Sequence, residues 1–368
     1  MHAGSRRVTR QVGIVLAAAL LAACGSDTAT SPATETASSG DASGGDVSAS
    51  EASSGAAAEP APTTEPTSPP STAAPTAAAP TTAAPTTVPE PEPIVVVDDR
   101  GVEVTIESTE RIIPADGDLA EIVFALGLGD QVVATDLSAT FPPAADAKPE
   151  IGYQRALSPE PILAFEPTVI LATEVAGPPE TLSDLEDLGV PVVIIPSPAT
   201  PEGPGVKIRA VADALGVSEL GAELADGVDA GITEVAAAAP DDSSPKVVAL
   251  YVRGENTQLV LGTESPLGWM IDAVGATNVA VELGVDTAVP INIEAMIQAA
   301  PDVIIIPSAG LESVGGLEGF LEIPGFAETP AGQAGRVLAY DDQYLLGNGP
   351  RTPDLLAEML RDVHATNQ

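Results

Sequence analysis

An internal repeat is the feature of this sequence that most constrains its fold. Residues 157–171 align without gaps with residues 291–305, at a constant offset of 134 residues. Each copy begins as a capped helix, meets a proline, and continues as an apolar run that is typical of a strand buried on both faces. A shorter echo pairs residues 125–127 with 273–275. The repeat therefore predicts two related α/β lobes.

Further local patterns fill in the predicted lobes. Apolar β-branched runs predict buried strands, and a helix is predicted over 119–126, with Asp118 as its cap and Gly127 after its end. Ser158 and Pro159 are typical of an N-cap and a first helical residue. Strands and helices in alternation favour α/β layers. The predicted strands are 168–172, 190–195, 246–252 and 302–306.

The segment between the predicted lobes has helical character. One helix is predicted over 207–215, and a second is predicted to be capped by Ser218 and to run to Pro240, about 33 Å at 1.5 Å per residue. Its glycines weaken it unless it packs against both lobes. We therefore predict an N-terminal lobe over 94–204, a connecting helical segment over 205–239 and a C-terminal lobe over 240–368.

The first 23 residues have the pattern of a signal peptide. Three arginines precede an uncharged apolar run over 12–22, which is shorter than the roughly 20 residues of a membrane span. The run ends in Leu21-Ala22-Ala23-Cys24, which resembles a bacterial lipobox. Cys24 is the only cysteine in the chain, so no disulfide can form within one chain and the predicted role of the thiol is lipidation.

Composition separates residues 24–93 from the rest of the chain. They are rich in Ala, Pro, Thr and Ser and almost lack large apolar residues, which predicts a disordered tether between anchor and lobes. The formal net charge of the chain is −39. This charge argues against nucleic acid as a partner, because binding to phosphates needs clustered Lys and Arg.

Together these features resemble a known family. Residues 117–130 look like its opening helix, while 152–160 and 347–353 resemble segments of its haem-binding branch. The chain is similar to the class III periplasmic binding proteins of bacterial ABC importers, which carry siderophores, cobalamin or haem. The resemblance implies a monomer on the extracytoplasmic face of the cell membrane that captures its ligand between the lobes and delivers it to a permease dimer. A ferric siderophore, cobalamin, or a haem relay without an importer remain alternatives.

Scarce histidine limits the chemistry of the predicted site. After signal removal His364 is the only histidine, which disfavours His-rich zinc or manganese sites and a Ser-His-Asp triad. An enzyme is therefore not expected, and two repeated lobes disfavour a wall-associated stalk. Haem iron can be bound by tyrosinate. Two tyrosines occur in a Tyr-x-Arg pattern, where a guanidinium favours the phenolate and can also bind haem propionates.

The resemblance implies roles for individual residues. Tyr153 would be an axial haem ligand supported by Arg155, and Tyr251 a second ligand from the C-terminal lobe, with Arg253 and Arg351 also at the haem. Tyr251 could equally be an ordinary tyrosine at a strand end. Trp269 and Met270 are expected in the core. Tyr340 and Tyr344 are expected either to line the cleft between the lobes or to pack in the last lobe.

Two glutamates occupy the same position of the repeat. Glu160 and Glu294 are predicted in the first turn of equivalent helices, where the helix dipole stabilises a carboxylate by about 0.3–1 kcal/mol. The resemblance implies that each meets an arginine on one half of the permease dimer.

Overall fold

The computed structural model describes residues 92–240 and 244–365. The predicted signal peptide, Cys24 and nearly all of the predicted tether lie outside these residues. No helix in the described part is long and apolar enough to cross a membrane.

The N-terminal lobe contains a parallel sheet of three strands and a separate antiparallel hairpin. The hairpin pairs the first two strands, and the sheet has the order β3-β4-β5. Its elements in chain order are β1 (Ile94–Val97), β2 (Glu103–Ile106), β3 (Ile112–Pro114), α1 (Gly117–Ala125), α2 (Pro143–Asp146), α3 (Pro159–Leu163), β4 (Val169–Ala172), α4 (Pro179–Asp187) and β5 (Val192–Ile194).

Two helices, α5 (Gly203–Ala214) and α6 (Ser218–Ala237), follow the first lobe. The C-terminal lobe is built on a mixed sheet of order β11-β10-β6-β7-β9, in which β8 also pairs with β6. Its elements are β6 (Lys246–Arg253), β7 (Thr257–Val260), α7 (Pro266–Ala273), β8 (Thr277–Asn278), α8 (Val279–Leu283), β9 (Val289–Pro290), α9 (Ile293–Ala299), β10 (Val303–Pro307), α10 (Ser308–Glu312), α11 (Gly316–Glu322), α12 (Pro330–Ala334), β11 (Val337–Tyr340), α13 (Asp342–Leu346) and α14 (Thr352–Val363).

The structure confirms the α/β fold class and the repeat. Helix α3 leads into β4 in the first lobe just as α9 leads into β10 in the second. Ser158 and Asn292 are the N-cap residues of the two helices. Glu166 and Ala300, also at equivalent positions, both adopt the left-handed conformation, with φ of 45° and 49°. The two copies therefore share backbone detail as well as element order.

Two predicted helix caps are wrong. Helix α1 begins at Gly117 and has Asp116 as its N-cap, so Asp118 lies inside its first turn. The hydroxyl of Ser138, remote in sequence, accepts from Gly117 N at 2.8 Å, which satisfies a free helix N–H that a local cap would otherwise bind. Ser218 likewise lies inside α6, because Gly221 N donates to Val217 O at 3.0 Å and makes Val217 the N-cap.

Helix α6 packs along α5 and α14. Gly221 allows this close packing, because a Cβ there would lie 2.1 Å from the Cβ of Ala212 on α5. One hydrophobic cluster contains side chains of both lobes together with α5, α6 and α14. Trp269 and Met270 belong to it, as expected from the sequence. The lobes are therefore joined through a continuous core on one side.

Candidate functional site

The C-terminal Tyr-x-Arg lies on a strand. Tyr251 and Arg253 are the sixth and last residues of β6, and the residue between them, Val252, is fully buried. Alternate residues of a strand share a face, so the phenol and the guanidinium lie on the same side of the sheet. The guanidinium carbon of Arg253 lies 4.4 Å from the centroid of the Tyr251 ring, which is within the range of a cation–π interaction.

The N-terminal Tyr-x-Arg lies in a turn before α3. Tyr153 and Arg155 are exposed, whereas Gln154 between them is buried. Gly177 N donates to the backbone oxygen of Gln154 at 2.8 Å, which ties the turn to the lobe. Gly152 before it has φ +100°, a conformation that favours glycine. A buried residue thus turns both flanking side chains outward, as in the strand motif.

The structure brings the two motifs together. Burial raises the pKa of Tyr251 above its usual value, while the charges of Arg253 and Arg155 act in the opposite direction and Tyr153 adds to the rise. Both members of the N-terminal motif therefore lie within electrostatic reach of the C-terminal phenol. The two guanidiniums thus favour the phenolate, as expected from the sequence, but desolvation by burial outweighs their effect on the pKa of Tyr251.

The two arginines differ in their partners. Arg253 forms an ion pair with Asp342, which is a residue of α13. Among residues 92–240 and 244–365, Arg155 has no hydrogen bond or ion pair to another side chain. The two motifs thus combine two phenols, one paired guanidinium and one guanidinium without a side-chain partner among the described residues. These groups fit a ferric iron, which binds phenolate oxygen, and a ligand that carries carboxylates.

A model of one protein family matches residues 112–344, a stretch that contains both motifs and both sheets. The family is described as periplasmic binding protein. The chain belongs to this family.

Solved structures of other periplasmic binding proteins resemble the chain over most of their length. The periplasmic heme-binding protein RhuT from Roseiflexus sp. RS-1, in apo form, is 44% identical with a TM-score of 0.67, covering 70% of this chain and 98% of that one. The periplasmic heme-binding protein BhuT in complex with two hemes is 36% identical, with a TM-score of 0.65 and coverages of 70% and 98%. HutB of Vibrio cholerae, a periplasmic heme-binding protein, is 28% identical, with a TM-score of 0.63 and coverages of 70% and 100%.

Curated relatives match over a shorter stretch. A vitamin B12-binding protein of Yersinia pestis is 31% identical over 86 residues, which is 23% of this chain and 31% of that protein. The chain thus aligns with about a third of the length of these curated relatives. The names of these curated relatives report vitamin B12 as the ligand, whereas the names of the solved structures report heme.

Arg351 lies in a different environment from the two motifs. Its Nε and Nη2 donate to the two carboxylate oxygens of Glu121, at 3.0 and 2.7 Å. Its guanidinium carbon also lies 3.7 Å from the ring centroid of Phe141 and 4.9 Å from that of Tyr344. The ion pair joins α1 of one lobe to the segment before α14 of the other. A role of Arg351 at the ligand therefore stays a prediction.

The remaining candidates are placed by their contacts. Tyr340 is buried and donates to Asp362 Oδ2 at 3.1 Å, so it packs the last lobe. Burial raises the pKa of Tyr344 to about 12. The Nε2 atom of His364 lies 2.8 Å from the carbonyl oxygen of Val274. Glu160 and Glu294 are exposed in the first turns of α3 and α9, as predicted.

Several charged and polar residues around the site were not found from the sequence. They are Asp342 beside Arg253, Glu121 beside Arg351, Lys207 beside Asp118, and Gln343 between the lobes. One signal could have identified Lys207. With only fourteen Lys and Arg against fifty-three Asp and Glu, a lysine on the apolar side of a predicted helix is expected to have a specific acidic partner.

Proposed function

We propose that the chain binds haem in the cleft between its lobes and delivers it to an ABC importer. The observation that carries this proposal is the approach of two Tyr-x-Arg motifs, one from each lobe, to within electrostatic reach of each other. The names of the structurally similar periplasmic binding proteins support haem as the ligand. Tyrosinate is an established axial ligand of haem iron.

The tyrosines and the arginines would have different roles in binding. Ferric iron favours the deprotonated phenol, so binding would release the proton of Tyr251, whose pKa burial raises above its usual value. Tyr153, on the exposed turn, would supply the oxygen from the other lobe. The guanidiniums of Arg155 and Arg253 would stabilise the negative charge that remains on the phenolates and on the haem propionates.

Removing the two phenol oxygens tests this proposal. We expect the wild-type protein to give a ferric haem spectrum with a tyrosinate charge-transfer band in the red, and we expect Tyr153→Phe to weaken binding and change that band. The double variant Tyr153→Phe, Tyr251→Phe should lose the band. Tyr344→Phe is the matched control, since Tyr344 is also half-buried but contacts Arg351 instead. An unchanged spectrum in the double variant would rule out tyrosinate ligation.

Cobalamin is the second candidate ligand, because the curated relatives are named as vitamin B12-binding proteins. That match covers only 23% of the chain, and it is outweighed by the pair of Tyr-x-Arg motifs. Absorbance titrations with haem and with cobalamin separate the two. Tight cobalamin binding that survives the double tyrosine variant would favour the second candidate.

Delivery requires an anchor and a docking surface. The lipobox-like Leu21–Cys24 supports a lipid-anchored protein on the extracytoplasmic side. The equivalent positions of Glu160 and Glu294, both exposed and without an ion pair among the described residues, support docking of one lobe on each half of a permease dimer. Exposed ion pairs contribute about 0–1 kcal/mol each, so their main effect would be on orientation and encounter rate.

The docking proposal is tested by separating binding from uptake. We expect Glu160→Ala combined with Glu294→Ala to bind haem like the wild type and to fail in uptake by membranes that contain the permease. Glu166→Ala with Glu312→Ala is a control that removes equal charge, one residue from each lobe, from exposed positions outside the two first turns. Uptake at the wild-type rate by the first double variant would contradict docking through these glutamates.

A further inference from the structure

The guanidinium of Arg253 already has two partners within the protein. Its Nη1 donates to the backbone oxygen of Val252 at 2.8 Å, and its Nη2 forms the ion pair with Asp342. The second oxygen of Asp342 accepts from Ala309 N at 3.0 Å. This fixes the carboxylate from both sides. Two of its five N–H donors, one on each terminal nitrogen, are thus engaged, and its charge is balanced by the carboxylate of Asp342.

Helix α10 packs closely against this guanidinium at Gly310. A Cβ at Gly310 would lie 2.9 Å from Arg253 Nη1 and 2.6 Å from Val252 O. Only a residue without a side chain at position 310 therefore leaves room for the arginine against α10. The neighbouring Asp341 has a different task, because its Oδ1 accepts from Tyr344 N at 3.0 Å and caps α13.

Arg155 presents the opposite case. It is exposed on the other lobe, and no side chain in the described part of the molecule pairs with it. A guanidinium with five free N–H donors can bind a carboxylate through two parallel hydrogen bonds. The two Tyr-x-Arg motifs therefore carry the same residues but present them to a ligand differently.

We propose that Asp342 is a positioning residue that holds Arg253 against the ring of Tyr251. Arg155 is then the arginine that binds a haem propionate. The inference rests on the proposed haem site. It assigns the paired arginine to the ligand tyrosine and the unpaired one to the carboxylate. Neutralisation of Arg253 by Asp342 also removes the net positive charge that would attract a propionate to the C-terminal lobe.

A double-mutant cycle between Arg155 and Asp342 tests this division. In wild-type protein Arg155→Ala should weaken haem binding about tenfold or more, as expected for the loss of a hydrogen bond to a charged group. In the Asp342→Asn background, where Arg253 is released to bind propionate, the same substitution should cost about threefold or less. Haem dimethyl ester, which lacks free carboxylates, should lose much less affinity than haem does on Arg155→Ala. Equal losses in both backgrounds would overturn the proposal.

A second measurement uses the protein without haem. The Nε–Hε resonance of Arg253 should be shifted by the ring current of Tyr251, whose centroid lies 4.4 Å from the guanidinium carbon. Asp342→Asn should move it towards the position of a free arginine, and Asp342→Glu should restore part of the shift. Asp341→Asn is the matched control, since it removes the adjacent charge and keeps a capping side chain. A resonance unmoved by Asp342→Asn would overturn the positioning role.

The two measurements also separate this inference from the proposed function. A wild-type protein that gives no haem spectrum would contradict the proposed function and the assignment of Arg155 to propionate together. The resonance of Arg253 is measured in the empty protein, so it supports or overturns the positioning by Asp342 whatever the ligand is.

Discussion

The cleft and the junction between the lobes use the same kinds of residues in opposite ways. The lobe junction consists of Asp118 and Glu121 on α1, Lys207 on α5, Gln343 on α13 and Arg351 before α14. In the junction each cation is bound to a carboxylate that is at least nine-tenths buried. In the cleft, one guanidinium is half-exposed and paired and the other is exposed and unpaired.

Gln343 makes hydrogen bonds across the junction through both polar atoms of its side chain. Its amide nitrogen donates to the backbone oxygens of Gly117 and Phe141, at 2.7 and 3.0 Å. Its amide oxygen accepts from Phe141 N at 2.7 Å and from the hydroxyl of Thr140 at 3.1 Å. The amide nitrogen also lies 3.3 Å from Glu121 Oε2, so one side chain of the C-terminal lobe binds four residues of the N-terminal lobe.

The contrast separates what fixes the lobes from what recognises a ligand. Buried, paired groups favour one arrangement, because breaking any pair leaves an uncompensated polar group. Exposed groups without partners cost little in the empty protein and are free to bind an incoming ligand. We therefore expect substitutions at the junction to act on stability and substitutions in the cleft to act on binding.

The largest expected effect is at Lys207. It is 1% exposed, is paired with Asp118, and donates to Gly347 O at 3.0 Å. Lys207→Met keeps the length of the side chain but leaves the carboxylate of Asp118 buried without its cation, at a cost of about 3–5 kcal/mol in the free energy of unfolding. Urea unfolding measures this cost.

A surface pair provides the control for Lys207. Lys246 pairs with Glu282 at 2.6 Å, but their side chains are 32% and 50% exposed, so Lys246→Met should cost about 0–1 kcal/mol. Combining Lys207→Met with Asp118→Leu should recover much of the loss, because the carboxylate that lost its cation is then removed as well. Similar small losses for Lys207→Met and Lys246→Met would remove the distinction between junction and surface.

The next effect depends on pH. Asp136 is 1% exposed, and burial raises its pKa to about 6 although Ser138 donates to both of its oxygens. A carboxyl with a raised pKa in the folded state retains its proton better when folded. Its contribution to stability is therefore full below its unfolded pKa of 3.8 and is lost as pH rises through about 6.

Asp136→Asn tests this contribution by difference. We expect the stability of the variant relative to wild type to increase by about 1–3 kcal/mol between pH 4 and pH 7.5. Urea unfolding at both pH values measures it. Asp286→Asn, at an exposed position of the other lobe, is the control and should show no such trend. A difference between variant and wild type that does not change with pH would contradict the raised pKa.

The sequence predicts the lobes well because the repeat is local in each copy. Helix start, proline and apolar strand all lie within fifteen residues, and the structure confirms each of them at both positions of the repeat. The cap of α1 was predicted wrongly because a hydroxyl 21 residues away, that of Ser138, takes the place of a local side chain. Propensity and pattern do not register such distant partners.

The same limit applies to the site. Tyr-x-Arg is a local pattern, so both pairs were found from the sequence. The partners that distinguish them are distant: Asp342 lies 89 residues from Arg253, and Glu121 lies 230 residues from Arg351. Their pairing depends on how the lobes pack, which a single sequence does not reveal. Sequence patterns thus indicated the candidate groups of the proposed site but not which of them are already paired.

The smallest expected effect distinguishes Arg351 from the cleft arginines. The resemblance implied that it binds haem, whereas its guanidinium contacts Glu121, Phe141 and Tyr344. Arg351→Lys keeps the charge but loses the bidentate contact and the stacking, for about 1 kcal/mol of stability. The haem affinity of this variant should stay within about twofold of wild type, because the guanidinium of Arg351 already binds Glu121 through two parallel hydrogen bonds. Thermal unfolding and a haem titration of the same sample measure both quantities, with Arg155→Lys as the control. Arg155→Lys should give the reverse result, with unchanged stability and weaker haem binding, since its guanidinium has no partner in the described part of the chain. If Arg351→Lys instead weakens haem as much as Arg155→Lys does, Arg351 belongs to the cleft, and the boundary between the two regions must be moved to include it.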